Sequence, residues 1–126
     1  MIPADLLSAL REKDPELWER LQCFMIYEDK EDEIECSINI ASYGEGPGFD
    51  AILQYCLQER IRARGWGYAI GRSSKGMTSA SVYVPGGEGE TVMGYDEAEA
   101  LLRAYLAAIQ EAREALERIR SGKDEV

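Results

Sequence analysis

Apolar residues recur at helical spacing in the first part of the chain. The spacing of Leu6 and Leu10 predicts a short helix, which Pro15 interrupts because the residue before a proline is pushed out of the helical region. A second helical stripe begins at Leu17. Its end stays open, since residues 22–27 suit a helix and a buried strand equally well.

Alternation of apolar and polar residues predicts strands further along. Residues 34–40 alternate strictly, which is the period of a half-buried strand. After a glycine-rich break, Asp50 is predicted to cap a helix that ends near Gly65. Residues 66–70 and 80–84 alternate again on either side of a polar turn, and together they predict a β-hairpin.

The last third of the chain predicts a short strand and a long helix. Residues 91–93 suit the strand, and Asp96 with Glu99 forms a pair typical of a helix start. An apolar stripe then predicts a helix to about Arg120, about 37 Å long at 1.5 Å per residue. That length exceeds what a helix needs to cover the sheet of a domain of this size. The half beyond Ala112 is therefore expected to pack on another subunit, or alternatively to end in solvent.

Together these elements predict one α+β domain: a small antiparallel sheet of three to five strands sandwiched between helices, with a long C-terminal helix. The chain has 126 residues, 45% of them hydrophobic, which suffices for one ordinary core. Residues 1–120 are assigned to this domain and residues 121–126 to a disordered tail. No segment has the features of a signal peptide or a membrane span, so we expect a soluble cytoplasmic protein with no membrane partner.

Charge is segregated along the sequence. Residues 1–50 hold 13 acidic and 4 basic side chains, residues 51–87 hold 1 and 5, and residues 88–126 hold 10 and 5. A short basic island therefore lies within a protein of net charge −10. Because the negative net charge of the protein repels nucleic-acid backbones at long range, the sequence argues against a nucleic-acid partner. A small anion, or an acidic loop of another protein, fits the island better.

Several kinds of chemistry are excluded by composition. The chain has no histidine, which removes Ser-His-Asp and Cys-His hydrolysis and most zinc or non-haem iron chemistry. Its three cysteines lack the paired spacing of a structural zinc site and are interpreted as reduced thiols. The acidic run 28–33 fails as a calcium loop, because Ile34 stands where the loop glycine belongs. We therefore expect a protein that is not an enzyme and holds no cofactor or metal.

Two segments and the hairpin between them carry a resemblance to a known protein family. The first segment, residues 51–66, reads AILQYCLQERIRARGW and is a helix that ends in a Gly-Trp pair. The second, residues 95–109, reads YDEAEALLRAYLAAI and is an alanine-rich closing helix. Together with the hairpin, these segments resemble the phage ABA-sandwich domain family over about residues 49–110. The resemblance implies a helix-sheet-helix sandwich and a phage or prophage origin, and it implies no catalytic residue.

Cations, a hydroxyl and aromatic rings near the hairpin could together hold a phosphate-bearing ligand. The candidate residues are Arg72, Ser74, Lys75, Trp66, Tyr68 and Arg103. The first three would hold phosphate at the hairpin turn, one of the aromatic rings would stack on a base, and the helix arginine would add a further cation. The turn is not a P-loop, and a solvated turn beside aromatic core residues remains the alternative interpretation.

Two functions from different classes follow as hypotheses. In the first, the protein is a phage anti-defence sponge in the bacterial cytoplasm: a homo-oligomer, built partly by its C-terminal helix, that sequesters a nucleotide immune signal. In the second, its acidic half mimics nucleic acid and blocks a basic surface of a host defence protein, as anti-CRISPR proteins do. The residues alone leave both open.

Overall fold

Helices and short antiparallel strands follow one another in the described chain. The computed structural model describes residues 2–30, 33–38 and 48–121. The elements within them are α1 (Ala4–Lys13), α2 (Pro15–Gln22), β1 (Met25–Lys30), β2 (Glu33–Ile38), α3 (Phe49–Ala63), β3 (Gly67–Arg72), β4 (Thr78–Tyr83), β5 (Val92–Gly94) and α4 (Glu97–Ser121). The predicted fold class, α+β with a small antiparallel sheet and a long C-terminal helix, is confirmed.

Local sequence signals account for most element boundaries. The open question at residues 22–27 is settled, because α2 ends at Gln22 and β1 begins at Met25. Helix α3 begins two residues earlier than predicted, with Gly48 rather than Asp50 at its N-cap. Residues 39–47, which include the end of the predicted strand and the glycine-rich break, lie outside the described residues.

Helix α4 begins as its sequence predicts. The Glu99 backbone N–H donates to Asp96 Oδ1 at 2.8 Å, and the Tyr95 N–H donates to Glu99 Oε2 at 3.1 Å. This reciprocal pair satisfies backbone donors that the helix cannot satisfy itself, which explains why Glu99 is buried. The helix then runs to Ser121. Ser121 is the only residue of the predicted tail, residues 121–126, that the structure describes.

The strands form two antiparallel sheets within the described residues. In the first, β1 pairs with β2, with Met25 opposite Ile38. The second has the order β3-β4-β5, with Gly67 opposite Tyr83 and Thr78 opposite Gly94. Strand β3 is therefore an edge strand, and the three-residue β5 forms the other edge.

Helix α4 forms the middle layer of the core. It contacts β4 and β5 on one side and α3 and α1 on the other. Almost every residue from 98 to 109 is buried, because this stretch is rich in alanine and leucine around the whole helix circumference. Gly94 allows the closest approach of the sheet, since a Cβ there would lie 2.7 Å from the Ala100 backbone nitrogen. The three-stranded sheet is thus an outer layer, and its residues Gly67, Ala69 and Gly71 are exposed.

The distal part of α4 extends beyond this core. Its last buried residue is Ile109, while Leu116 and Ile119 are 48% and 69% exposed. An exposed apolar stripe at the end of a helix is typical of a contact surface, but isolated exposed apolar side chains are also common on monomeric proteins. The expected homo-oligomer through this helix stays a prediction.

Candidate functional site

Asp14 lies between α1 and α2 and is, with Glu99, one of two acidic residues that are almost fully buried in the described part of the chain. Because Pro15 follows it, Asp14 adopts a non-helical backbone (φ −140°, ψ 75°) that ends α1. Its side chain then accepts a hydrogen bond from the Leu17 backbone N–H at 3.2 Å and caps α2. The carboxylate is only 2% exposed. A buried carboxylate requires further donors.

Helices α3 and α4 supply those donors. Arg60 donates from Nε to Asp14 Oδ2 at 3.1 Å and from Nη2 to Oδ1 at 3.2 Å, a two-pronged contact that matches guanidinium to carboxylate. Arg64 Nη2 lies 3.5 Å from Asp14 Oδ2, and the Tyr105 hydroxyl donates to the same oxygen. Arg64 Nε donates in turn to Tyr105 Oη at 2.9 Å. We call Asp14, Arg60, Arg64 and Tyr105 the Asp14 cluster.

The protonation states in the Asp14 cluster follow from burial and pairing. Burial alone would raise the pKa of Asp14, but the hydrogen bonds from Tyr105 and Arg60 outweigh it and lower the pKa below its ordinary value. Burial, assisted by the hydrogen bond to Asp14, raises the pKa of Tyr105 to about 12. At neutral pH the carboxylate is therefore charged and the phenol neutral, so this cluster is a closed ion pair that ties three helices together.

The Asp14 cluster was not found by sequence reasoning. In the sequence, Asp14 stood out only as the residue that Pro15 pushes out of the helical region, and Arg60 and Arg64 only as members of the basic island within residues 51–87. One signal was available, since Asp before Pro at a helix start is a common capping arrangement. Its partners lie 46 to 91 residues away along the chain, and no local pattern identifies them.

The predicted phosphate ligands are partly engaged with carboxylates of α4. Arg72 Nη1 lies 3.3 Å from Glu97 Oε1, and the side chains are 60% and 37% exposed. Arg103 Nε lies 3.4 Å from Glu99 Oε2. Ser74 and Lys75 stand exposed in the hairpin turn, where Gly76 has a φ of +85°. The structure therefore brings Arg72, Ser74 and Lys75 together at one turn, where Arg72 also pairs with the Glu97 carboxylate.

The predicted stacking residues are placed away from that turn. The Trp66 ring packs at 6.1 Å from the Tyr105 ring, with the Arg64 guanidinium 5.0 Å from the Trp66 centroid. Tyr68 is half-buried on the core side of β3. Trp66 precedes β3 and Arg72 ends it, a span of about 20 Å at 3.3 Å per residue. The six predicted residues thus do not converge on one site.

A second surface, the acidic groove, lies between the loop after β4 and helix α4. It has a volume of about 490 Å³, and its lining residues are Glu88, Gly89, Glu90, Ala107, Gln110, Glu111 and Glu114. Gly89 has a φ of +77°, and a Cβ there would meet the Tyr83 ring, so the loop keeps its course only with glycine. Within the described residues, its four carboxylates form no ion pair with a cation of the chain.

Neither a metal site nor a membrane-spanning helix is found in the described residues. In residues 2–30, 33–38 and 48–121, no group of three or more His, Cys, Asp or Glu is placed to hold a metal ion. None of the helices there combines the length and apolar character needed to cross a membrane.

Comparisons with family models, curated proteins and solved structures found no match for this chain. The resemblance to the phage ABA-sandwich domain family therefore stays a prediction.

Proposed function

We propose that this protein is a non-enzymatic interaction protein whose acidic groove binds a basic surface of another protein. The observation that carries this proposal is a groove with four glutamates, none of which forms an ion pair with a cation of the described residues. A host defence protein in the bacterial cytoplasm is the target class that the phage resemblance suggests. The groove then acts by occupying the basic surface, with no chemical step.

Electrostatics supports this mode of binding. The net charge of −10 gives the whole molecule a long-range attraction for basic surfaces, and it accelerates the encounter with them. The carboxylates line an open groove, so their charges are spread along a surface rather than gathered around one point. Spread carboxylates suit several Lys and Arg side chains of a protein better than a single small cation.

Charge reversal in the groove tests this proposal. We expect the double change Glu111→Lys and Glu114→Lys to weaken binding of a fluorescent Lys/Arg-rich peptide by about tenfold, because each reversal costs roughly 0.7 kcal/mol. Fluorescence anisotropy measures the affinity. Wild-type binding should also weaken steeply as salt rises from about 50 mM to about 300 mM, since exposed charges are screened.

A matched control separates the groove from the overall charge. Glu12→Lys with Glu19→Lys makes the same change in net charge at two exposed positions on α1 and α2. This control should retain peptide affinity within about threefold, because its charges lie outside the groove. Equal losses for both double variants, or binding that ignores salt, would count against the groove.

Nucleotide binding at the hairpin turn is the second candidate function. It is supported by the exposed turn that holds Arg72, Ser74 and Lys75 close together. Gly76 in the same turn has a positive φ and no side chain, so the backbone of the turn is accessible to a phosphate. The Glu97 carboxylate competes with phosphate for Arg72.

Native mass spectrometry with a panel of linear and cyclic nucleotides tests this second candidate. We expect a stoichiometric nucleotide adduct that is lost, with the circular dichroism spectrum unchanged, in the double variant Arg72→Ala, Lys75→Ala. Arg113→Ala with Arg120→Ala, at two exposed positions on the distal half of α4, serves as a control of equal charge, and the adduct should persist in it. A chain that carries no nucleotide, or a variant that keeps the full adduct, removes this site from consideration.

A further inference from the structure

Strand β3 leaves one side of its backbone without a partner. The Ser73 backbone N–H donates to the Met77 carbonyl at 2.8 Å, so these two residues form a hydrogen-bonded pair. Hydrogen-bonded and non-bonded pairs alternate along an antiparallel ladder. In the register of β3 and β4, the bonded pairs are therefore Gly71–Ser79, Ala69–Ser81 and Gly67–Tyr83.

The intervening residues direct their backbone groups away from β4. The N–H and C=O groups of Tyr68, Ile70 and Arg72 point to the open edge of the sheet. Within the described residues these backbone groups take part in no other hydrogen bond. Three donors and three acceptors thus lie in a row on one strand.

This edge lacks the features that usually protect a sheet. Soluble proteins shorten edge strands or place lysine, proline or a bulge in them. Strand β5, at the other edge, has only three residues. Strand β3 has six, pairs with β4 in unbroken register, and carries no charge before Arg72. An open strand of this kind is a template for another strand.

We propose that β3 pairs antiparallel with β3 of a second copy, so that two three-stranded sheets join into one of six strands. One register about a two-fold axis uses all six outward backbone groups. It places Ile70 opposite Ile70 of the second copy and Tyr68 opposite Arg72 of the second copy. An identical strand satisfies this geometry because each surface meets itself.

The side chains of β3 are compatible with this register. Tyr68 and Ile70 lie on the core side but remain only half-buried, and a second strand would cover them further. On the outer face, the register sets Gly71 against Ala69, which leaves no bulk in the way. The cations at the two ends are already neutralised, Arg72 by Glu97 and Arg64 by Asp14. The strand between them is uncharged, so two acidic molecules meet here without a direct charge clash.

Paired edge strands alone form a small interface, so the dimer should be weak. Sedimentation velocity of the wild-type chain from about 10 µM to about 1 mM should show a monomer that converts to a dimer. Ile70→Lys and Ile70→Glu should each remain monomeric across that range. In either variant, two like charges would face each other with Cα atoms about 5.5 Å apart.

An equimolar mixture of the two variants gives the decisive result. Lysine from one copy then faces glutamate from the other, and we expect dimer to return, with native mass spectrometry showing one chain of each kind. Restored association requires residue 70 to lie opposite itself, which a loss of folding cannot imitate. Ile119→Lys is the control for the exposed stripe of α4, and it should dimerise like the wild type.

A further variant removes the backbone group rather than the side chain. Ile70→Pro deletes an outward N–H while leaving the β3–β4 bonds in place, and edge strands tolerate proline at such positions. It should also abolish dimer. The proposal is overturned by a wild-type chain that stays monomeric throughout, by variants that associate like the wild type, or by a mixture that fails to associate. Loss of dimer in Ile119→Lys would assign the contact to α4 instead and overturn it as well.

Discussion

Replacing Asp14 by alanine is expected to lower the free energy of unfolding by about 3–5 kcal/mol. The change leaves Arg64 without its carboxylate and Arg60 with only the exposed Glu16, and removal of one partner of a buried pair is more costly than removal of both. It also deletes the cap of α2, which contributes about 1 kcal/mol of that loss. Urea unfolding followed by circular dichroism measures the difference.

Two variants calibrate the Asp14 result. Tyr105→Phe removes one donor to the carboxylate and should cost about 1–3 kcal/mol. Glu16→Ala removes the other carboxylate of Arg60, at 3.2 Å, but its side chain is 77% exposed, so the loss should stay below about 1 kcal/mol. If Asp14→Ala costs no more than Glu16→Ala, the Asp14 cluster does not stabilise the fold.

The contribution of Asp14 should depend on pH in a definite direction. Its pKa in the folded protein lies below the ordinary value of 3.8, because Tyr105 and Arg60 favour the charged form. Such a group stabilises the fold fully above its unfolded pKa, and it loses that contribution as pH falls through its folded pKa. The difference between wild type and Asp14→Ala should thus stay constant from about pH 7 to about pH 5 and shrink below about pH 4.

Gly94→Ala should be the second strongly destabilising change, with a loss of about 3 kcal/mol and a fall in Tm of about 10 °C. The added Cβ would lie 2.7 Å from the backbone nitrogen of Ala100 and 2.9 Å from its Cα. Since these are backbone atoms of the central helix, β5 and α4 must separate rather than adjust a side chain. Calorimetry of the purified variant gives the Tm directly.

Gly48→Ala is the matched control for Gly94→Ala. A Cβ at Gly48 meets nothing within 4 Å, and the residue has a φ of −66°. Its cost should stay below about 1 kcal/mol, the usual range for a glycine N-cap. Similar Tm values for the two variants would show that the contact between β5 and α4 is looser than the structure indicates.

Features that depend on neighbouring residues were predicted well from the sequence. The Asp96–Glu99 pair identified the start of α4, and the alternation around the turn at residues 73–77 identified the β3–β4 hairpin. Both signals act within a few residues, so the local pattern contains the cause of the structure. The same pattern left residues 22–27 undecided, because a short apolar run packs equally well as helix or strand.

Features that depend on distant residues were not predicted. Nothing near Asp14 in the sequence points to Tyr105, 91 residues later, and nothing near Arg72 points to Glu97. Most of the candidate ligand residues were grouped because they are near one another in the chain, but the length of β3 separates Trp66, just before its start, from Arg72 at its end. The open edge of β3 depends on strand order, which alternation of residues does not specify.

The position of α4 as the middle layer also constrains how the protein can be synthesised. Helix α4 packs through its buried residues 98–109 against β4, β5, α3 and α1, and the ribosome makes it after all of these elements. Until α4 leaves the exit tunnel, the apolar faces of those elements lack the helix that they contact in the native state. The nascent domain therefore has an incomplete core until α4 emerges, and the hydrophobic segments exposed before then are prone to aggregation.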